Sequence, residues 1–246
     1  MSLFDKLKSD GLEESQDRLG GFSPLDSGIY TGKIKAAYGG TSSQGATSVS
    51  LIVDVGGKEY RETLYVTNKK GQNFFLNKDD NTKKVPLPGF TVVDDICLIT
   101  TGLPLSAQET DDKVINIYDF DAKKEVPTKV PMLTELLGKE IKLGIINQLE
   151  NKSKKEGDIY VTIPEERHVN IIDKVFHPEL NLTVAEARNG QEDAKFHDAW
   201  AERNNGTVKD KREIKDGVAG TSSKPQRAAP QAGTATPTKS LFGKKN

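Results

Sequence analysis

Three runs of alternating apolar and polar residues near the start of the chain constrain the fold more than any other feature. They cover residues 27–38, 48–55 and 58–66. Alternation with a period of two is typical of β-strands that have one buried face and one wet face. Gly56-Gly57 separates the second and third runs, and two glycines between such runs favour a tight hairpin turn. The sequence therefore predicts a three-stranded antiparallel meander.

The third run brings a cation and an aromatic ring to one face. Tyr60, Leu64 and Val66 share one side of this predicted strand. Arg61 and Tyr65 share the other side. Aromatic rings beside cations are the means by which proteins hold single-stranded nucleic acid without reading its sequence. The structural alternative is a solvated arginine next to a half-buried strand tyrosine.

A second hairpin is predicted in the second half of the chain. Its apolar positions are Ile141, Leu143 and Ile145 in one strand and Ile159, Val161 and Ile163 in its partner. Lys152, Lys154 and Lys155 lie in the polar segment between them, which we predict to be the hairpin tip. Such a tip is either a solvated turn or a contact for phosphate groups.

The order of these five strands indicates the fold class. We predict a mainly β protein: a five-stranded oligonucleotide-binding (OB) fold barrel with a long insertion after the third strand, short helices, a C-terminal helix and a disordered tail. In that fold the ligand contacts the second and third strands and the loops after the first and fourth strands. Arg61, Tyr65, the glycine-rich segment 39–47 and the lysines of the second hairpin fall on these places. The sequence thus predicts one continuous binding surface.

The connecting segments differ in pattern. Residues 39–47 are predicted to be a flexible loop, and residues 67–90 form a polar insertion that is too long for a simple connector. The insertion contains Lys69, Lys70, Phe74 and Phe75. Residues 90–101 are predicted to form a short buried helix. The prolines at 127 and 131 predict an extended linker, followed by one or two helical turns that end near Gly138.

A helical region is predicted towards the C-terminal end. Thr183 and Glu186 have the spacing of a capping box, which marks a helix start. Phe196 and Trp200 are four residues apart, so they share a helical face and are predicted to dock onto the barrel or a partner. The predicted parts of the chain are an N-terminal arm (1–26), an OB-fold domain with its C-terminal helix (27–206) and a disordered basic tail (207–246).

Charge and composition narrow the functional classes. The net charge is −1, but residues 217–246 contain five basic residues and no acidic residue, so the rest of the chain carries −6. Any nucleic-acid contact on the body must therefore be a focused patch. Cys97 is the single cysteine, which excludes a disulfide within one chain, and we expect it to pack as a small apolar residue. No apolar segment predicts a membrane span or secretory signal, so we expect a soluble intracellular protein without a membrane partner.

Motifs for catalysis are not found in the sequence. The histidines at 168, 177 and 197 lack metal-ligand spacing, and no phosphate-binding loop or nucleophile motif occurs. Three acidic pairs leave a magnesium-dependent nuclease open as an alternative, although such pairs are more often solvated turns. They are Asp94-Asp95, Asp111-Asp112 and Asp119 with Asp121. We expect no enzymatic activity, no cofactor and no metal.

Several segments carry a resemblance to a known family. They are MSLFDKL at the start, GIYTGKIKAAY, ETLYVTN, IYDFDAKKEVP and the terminal SLFGKK. Together they resemble the single-stranded DNA-binding proteins of tailed phages, especially those of the podovirus type, over most of residues 1–205 and the extreme end. The resemblance implies an OB fold, cooperative non-specific binding of single-stranded DNA, and roles in replication, recombination and repair in the cytoplasm of the infected bacterium.

The tail departs from the pattern of that wider class. Many of its members end in an acidic tail with a terminal hydrophobic residue, which recruits partners and competes with DNA for the basic groove. Here the end is basic and carries Leu241 and Phe242. It is suited to extra phosphate contacts or to an apolar pocket of a partner, and an inert linker is the alternative.

Two functions are predicted from these observations. The first is binding and protection of single-stranded DNA without sequence specificity. The residues predicted to neutralise phosphates are Lys33, Lys35, Arg61, Lys69, Lys70, Lys152, Lys154 and Lys155, and those predicted to stack bases are Tyr65 and one or both of Phe74 and Phe75. The alternative is an adaptor that recruits or activates a phage or host DNA or RNA polymerase, or other replication proteins, through the tail. The tail residues predicted to contact such a partner are Leu241, Phe242, Lys244 and Lys245.

Overall fold

The computed structural model describes residues 24–119, 122–157, 159–215 and 218–219, and it is mainly β. The strands are β1 (Gly28–Thr41), β2 (Thr47–Val55), β3 (Lys58–Tyr65), β4 (Phe74–Leu76), β5 (Lys84–Pro86), β6 (Asp111–Asp119), β7 (Lys124–Met132), β8 (Glu140–Glu156), β9 (Ile159–Phe176), β10 (Val208–Asp210), β11 (Ile214–Lys215) and β12 (Val218–Ala219). The helices are α1 (Pro88–Thr101), α2 (Val184–Arg188) and α3 (Lys195–Asn204), with single 3₁₀ turns at Leu105–Ala107 and Thr134–Leu136. None of the described helices is both long and apolar enough to cross a membrane.

The predicted meander is confirmed. β1, β2 and β3 are consecutive antiparallel neighbours. Gly56 and Gly57 join β2 to β3 with φ values of 59° and 86°. Two positive φ angles in succession define the primed turn that matches the twist of the strands, and glycine adopts them without strain.

The first strand changes its buried face halfway along. A β-bulge between Ile34 and Ala36 shifts its register against β2. As a result Ile34 and Ala37 face the main core, whereas Ala36 faces a second apolar cluster on the other side of the sheet. The alternation predicted for residues 27–38 implies that Ile34 and Ala36 share one face, and this was wrong because a bulge inserts one extra residue into the alternation.

The helix predicted at residues 90–101 is confirmed as α1, which packs against β3, β8 and β9. Its inner face includes Val93, Ile96 and Cys97, each at most 1% exposed. Cys97 packs as the small apolar residue that was expected. Burial raises the pKa of its thiol to about 12, which disfavours the reactive thiolate.

The extended linker predicted at residues 127–131 was wrong. These residues belong to β7, which pairs along its length with β6 and meets β1 at the pairing of Tyr38 with Met132. The β6–β7 hairpin lays Ile115 and Val130 over Ala36, so it covers part of the outer face of the meander. β7 accommodates its prolines because, among the described strands, β1 meets one of its edges at a single residue pair, so most of that edge needs no N–H donors. The helical turn predicted before Gly138 is the short 3₁₀ turn at Thr134–Leu136.

The second predicted hairpin exists, but its strands are far longer than the alternation suggested. β8 has 17 residues and β9 has 18. Leu143 pairs with Val175, while Ile159 pairs with Glu156, so the partners inferred from sequence were wrong. Lys152, Lys154 and Lys155 consequently lie within β8 and not in a hairpin tip. This part of β8 covers no core, so its residues are polar and their pattern did not indicate a strand.

The sheet is not closed into the predicted barrel. Among the described residues no backbone ladder joins β3 to β9. The side chain of Glu62 spans this gap instead. Its carboxylate accepts a hydrogen bond from the Ile172 backbone N–H of β9 (2.8 Å) and another from the Tyr60 hydroxyl of β3 (2.6 Å). Burial raises the pKa of Glu62 from its ordinary value.

The capping box and the docking of the last helix are confirmed. The Thr183 hydroxyl accepts from the Glu186 N–H while the Glu186 carboxylate accepts from the Thr183 N–H. Trp200 of α3 is 4% exposed, its ring centroid lies 6.3 Å from that of Phe176, and its indole N–H donates to Asp173. The helix therefore seals one face of β8 and β9.

The chain segments on either side of the predicted domain are partly anchored to it. The Leu25 N–H donates to the Asn170 side chain. Residues 208–210, which were assigned to the tail, form β10 and pair in parallel with β8. Residues 1–23, 216–217 and 220–246 of the predicted arm and tail lie outside the described residues.

Candidate nucleic-acid interface

Tyr65 is presented at the end of β3 with half of its side chain exposed. Its relative exposure is 52%, while the flanking Leu64 and Val66 are buried in the core. The backbone of Tyr65 is fixed from behind by the start of α1, since a Cβ atom at Gly89 would lie 2.4 Å from the Tyr65 carbonyl oxygen. Only glycine permits this approach. The ring is thus displayed to solvent on a rigid support.

The turn between β1 and β2 stands beside this ring. The sequence predicted a flexible loop at residues 39–47, but strands extend into both of its ends and leave a tight turn at 42–46. Ser42 and Ala46 close that turn, with the Ser42 N–H donating to the Ala46 carbonyl (2.8 Å) and the Ala46 N–H donating to the Ser42 hydroxyl (3.0 Å).

An open pocket of about 550 Å³ lies between the turn and the ring. Its lining residues are Ser42, Ser43, Gln44, Ala46, Tyr65 and Lys69. The pocket combines hydroxyl and amide groups, one aromatic ring and one cation. This set can stack a base, hydrogen-bond to its edge or sugar, and neutralise a phosphate.

The turn that carries Lys69 and Lys70 is held in place by side chains. The Asn68 carboxamide oxygen accepts from the N–H groups of Lys70 (2.8 Å) and Gln72 (3.1 Å). The Thr67 hydroxyl accepts from the Thr47 N–H (2.8 Å), which joins this turn to the start of β2. Both lysines are exposed. Lys69 and Tyr65 therefore line the same pocket.

The two phenylalanines of the insertion are not equivalent. β4 and β5 form a small hairpin in which the Lys84 ammonium lies 4.5 Å from the Phe74 ring centroid. Phe75 points to the opposite face of that hairpin and is 47% exposed. Of the two, Phe75 has the ring that is available for stacking.

The cations on the outer face of the meander are each close to an acid. The Arg61 Nε donates to a Glu59 carboxylate oxygen at 2.5 Å, and the Lys35 ammonium lies 3.4 Å from the Asp54 carboxylate. Lys33 pairs with Asp54 of β2, and Tyr65 pairs with Ser48 of the same strand. These two partners are six residues apart, which corresponds to about 20 Å along a strand. Lys33 and Lys35 thus lie towards the far end of this face.

The outer halves of β8 and β9, residues 152–157 and 159–163, form a two-stranded ribbon that we call the distal arm. Its base is fixed by Asn151, whose side-chain oxygen accepts from the N–H groups of Glu213 and Ile214. Beyond the base the chain is exposed on both faces. Lys152 pairs with Glu165 at 2.9 Å, while Lys154 and Lys155 are exposed. The arm continues β8 past the position opposite Gly28, whereas the Tyr65 pocket lies beside the other end of β1, so these lysines do not join the pocket in the single continuous surface predicted from sequence.

Tyr160 is a candidate residue that the sequence analysis missed. It is 72% exposed and sits directly opposite Lys155 in the pairing of β8 with β9. Residues directly opposite on antiparallel strands share a face, so the ring and the ammonium lie side by side. The sequence could have indicated this exposure. In the alternation that marked Ile159, Val161 and Ile163 as apolar positions, Tyr160 lies on the opposite face of the strand.

The acidic pairs do not converge in the described part of the chain. No group of three or more His, Cys, Asp or Glu side chains there could hold a metal ion. Asp94 accepts from the Leu105 N–H, and Asp112 pairs with Lys129. Burial raises the pKa of Asp95 to about 7, although Lys174 opposes the shift. Asp121 lies outside the described residues.

The predicted contacts of the tail, Leu241, Phe242, Lys244 and Lys245, also lie outside the described residues. No protein-family model matches the chain, and no curated protein sequence matches it. The candidate interface consists of the Tyr65 pocket with the outer face of β3 and, apart from them, the distal arm.

Proposed function

We propose that the chain binds single-stranded DNA without sequence specificity and protects it during phage replication, recombination and repair in the cytoplasm of an infected bacterium. We assign it an open variant of the OB fold with no catalytic role. The Tyr65 pocket and the outer face of β3 form one contact region, and the distal arm forms a second.

The order of the elements supports the OB assignment. The β1–β3 meander is followed by α1 and later by the β8–β9 hairpin, whose first strand lies against β1. With the β4–β5 and β6–β7 hairpins taken as insertions, this order matches that of the OB barrel, with α1 in the place of the helix that covers the bottom of the core. The bridge from Glu62 to Ile172 stands where a closed barrel has its last ladder.

The observation that carries the proposal is the pocket shared by Tyr65, Lys69 and the turn at 42–46. These residues come from β3, from the insertion and from the connection between β1 and β2, so the fold alone brings them together. An exposed ring held on a rigid backbone loses little entropy when a base stacks on it. One stacked base contributes about 1 to 3 kcal/mol to binding.

The distribution of charged residues supports local contacts between lysines and phosphates, and not a general attraction of DNA to the whole protein. Lys69, Lys70, Lys154 and Lys155 are exposed and form no ion pair within the described residues. They flank the two aromatic residues Tyr65 and Tyr160. Because the chain as a whole carries −1, the salt-dependent part of the affinity comes from local groups such as these and not from the net charge.

Binding of a dye-labelled oligo(dT) at two salt concentrations tests the proposal. Fluorescence anisotropy is preferable to protein fluorescence, since the single tryptophan, Trp200, is buried under α3. We expect binding that weakens as salt rises, with similar affinities for oligo(dT) and mixed sequences of equal length. Absence of binding, or equal binding at both salt concentrations, contradicts the proposal.

Tyr65→Ala tests the pocket itself. We expect about a fivefold or greater loss of affinity at an unchanged unfolding midpoint, because the ring is half exposed and stacking is lost. Tyr118→Ala is the matched control: Tyr118 is 45% exposed on the face of β6 that points away from the sheet. Equal effects of the two substitutions would remove the special role of the pocket.

A further inference from the structure

We propose that Glu59 is a positioning residue that orients Arg61 for a phosphate group, an inference that rests on the proposed binding of single-stranded DNA. The two residues are two positions apart on β3, so their side chains lie on the same outer face as Tyr65. The acid does not occupy the phosphate-binding part of the arginine. It holds the arginine by its inner nitrogen.

The geometry of the contact gives Glu59 this role. The Arg61 Nε donates to Glu59 Oε1 at 2.5 Å, and the two side chains are 54% and 38% exposed. Within the described residues the two terminal Nη groups of Arg61 have no hydrogen-bond partner. A guanidinium presents five N–H donors in a planar fork, and its two Nη groups can bind a phosphate bidentately. The contact at Nε leaves that edge open and fixes the plane of the fork.

Stability does not account for an acid at this position. Glu59 lies directly opposite Asp54 in the pairing of β2 with β3, and like charges across strands are destabilising. Each acid is balanced by a cation on its own side, Lys35 for Asp54 and Arg61 for Glu59. An exposed ion pair of this kind contributes only about 0 to 1 kcal/mol to folding. Glu59 therefore contributes by orienting Arg61 and not by stabilising the fold.

A positioning acid and a competing acid predict opposite results for two substitutions. Glu59→Gln keeps an oxygen that can accept from Nε but removes the negative charge. Glu59→Ala removes both. If Glu59 positions Arg61, only the alanine variant binds DNA more weakly. If Glu59 competes with phosphate, both variants bind DNA more tightly.

The experiment measures oligo(dT) binding by anisotropy over a range of salt concentrations for wild type, E59A, E59Q, R61A and the double variant E59A/R61A. We expect E59A to lose about threefold to fivefold in affinity, E59Q to bind at least as tightly as wild type, and the double variant to equal R61A. The salt dependence should become shallower by about one phosphate contact in R61A and by part of that in E59A. Glu202→Ala, an exposed acid on α3, controls for the general loss of a negative charge.

The results distinguish a failure of the proposed DNA binding from a failure of the proposed role of Glu59. Wild-type protein that does not bind oligo(dT) overturns the proposed function. Wild-type binding with E59A equal to or tighter than wild type, or with R61A unchanged, overturns the role of Glu59 and leaves DNA binding intact. Unfolding midpoints are measured for every variant, and a weaker E59A with an unchanged midpoint and a rescued E59Q supports positioning.

Discussion

The two halves of the β8–β9 hairpin belong to the same pair of strands but have opposite surroundings. In the inner half Leu143, Ile145 and Phe176 are completely buried. In the distal arm Ile159 is 64% exposed and Tyr160 is 72% exposed. The backbone ladder runs through both halves with two register shifts. Hydrogen bonding between the strands therefore does not distinguish them.

The covering elements distinguish the two halves. β1 pairs with the inner half of β8, α1 packs on the inner region of β9, and α3 places Trp200 against Phe176. Among the described residues the distal arm is held near its base, through Asn151, Thr162 and the Lys152–Glu165 ion pair. Two-stranded ribbons without a covering layer are marginal in water. The inner half therefore carries the stability of the hairpin, whereas the distal arm mainly adds exposed surface.

The largest expected effect is on the buried ring of the inner half. Phe176→Ala should lower the free energy of unfolding by about 3 to 5 kcal/mol, because it opens a cavity against Trp200 and Phe196. Ile159→Ala in the distal arm is the matched control and should change it by less than about 0.5 kcal/mol. Urea denaturation measures both. Similar losses would show that the arm is packed against something in solution.

The next effect tests the bridge that stands in for the missing ladder. Glu62→Ala should cost about 1 to 3 kcal/mol, because it leaves the buried N–H of Ile172 without its acceptor. Glu62→Gln retains an oxygen acceptor and should cost less. Urea denaturation checks the order. An E62A variant with unchanged stability would mean that α1 alone holds β3 and β9 together.

A pH effect is expected beneath α1. Burial raises the pKa of Asp95 to about 7, so between pH 4 and 7 the folded protein binds a proton that the unfolded chain does not. Stability should therefore fall by on the order of 1 to 2 kcal/mol as the pH rises from about 4 to about 7 and level off above that, with the charges of Lys174 and Arg188 limiting the loss. Asp95→Asn should flatten the stability curve between pH 4 and 7. An identical pH dependence in wild type and variant would assign it to other groups.

The smallest expected effect on stability comes with a clear effect on binding. Tyr160→Ala should leave the unfolding midpoint within error, because the ring is almost fully exposed. Its affinity for oligo(dT) should fall about fivefold or more through the loss of a stacked base. Lys195→Ala on α3 is the control for an exposed surface substitution. Unchanged affinity in Y160A would restrict the interface to the Tyr65 pocket.

Local patterns determined much of this protein. The alternation in the meander, the turn at Gly56-Gly57, the buried helix with Cys97, the capping box at Thr183 and the docking of Trp200 were all predicted from sequence and confirmed. The opposite faces of Tyr60 and Tyr65 were also correct. Each of these features depends on neighbours within a few residues, and side-chain periodicity reports such neighbours directly.

Long-range packing decided the rest. The β6–β7 hairpin escaped prediction because prolines at 127 and 131 suggested a linker, and only its contact with Ala36 across the sheet makes it a covering layer. The bulge after Ile34, the true partners of β8 and the bridge from Glu62 to Ile172 involve residues far apart in sequence. The sequence alone established the buried and exposed faces of β2 and β3. Only the tertiary structure decided which wet side chains meet, because burial and pairing depend on which distant elements cover a strand.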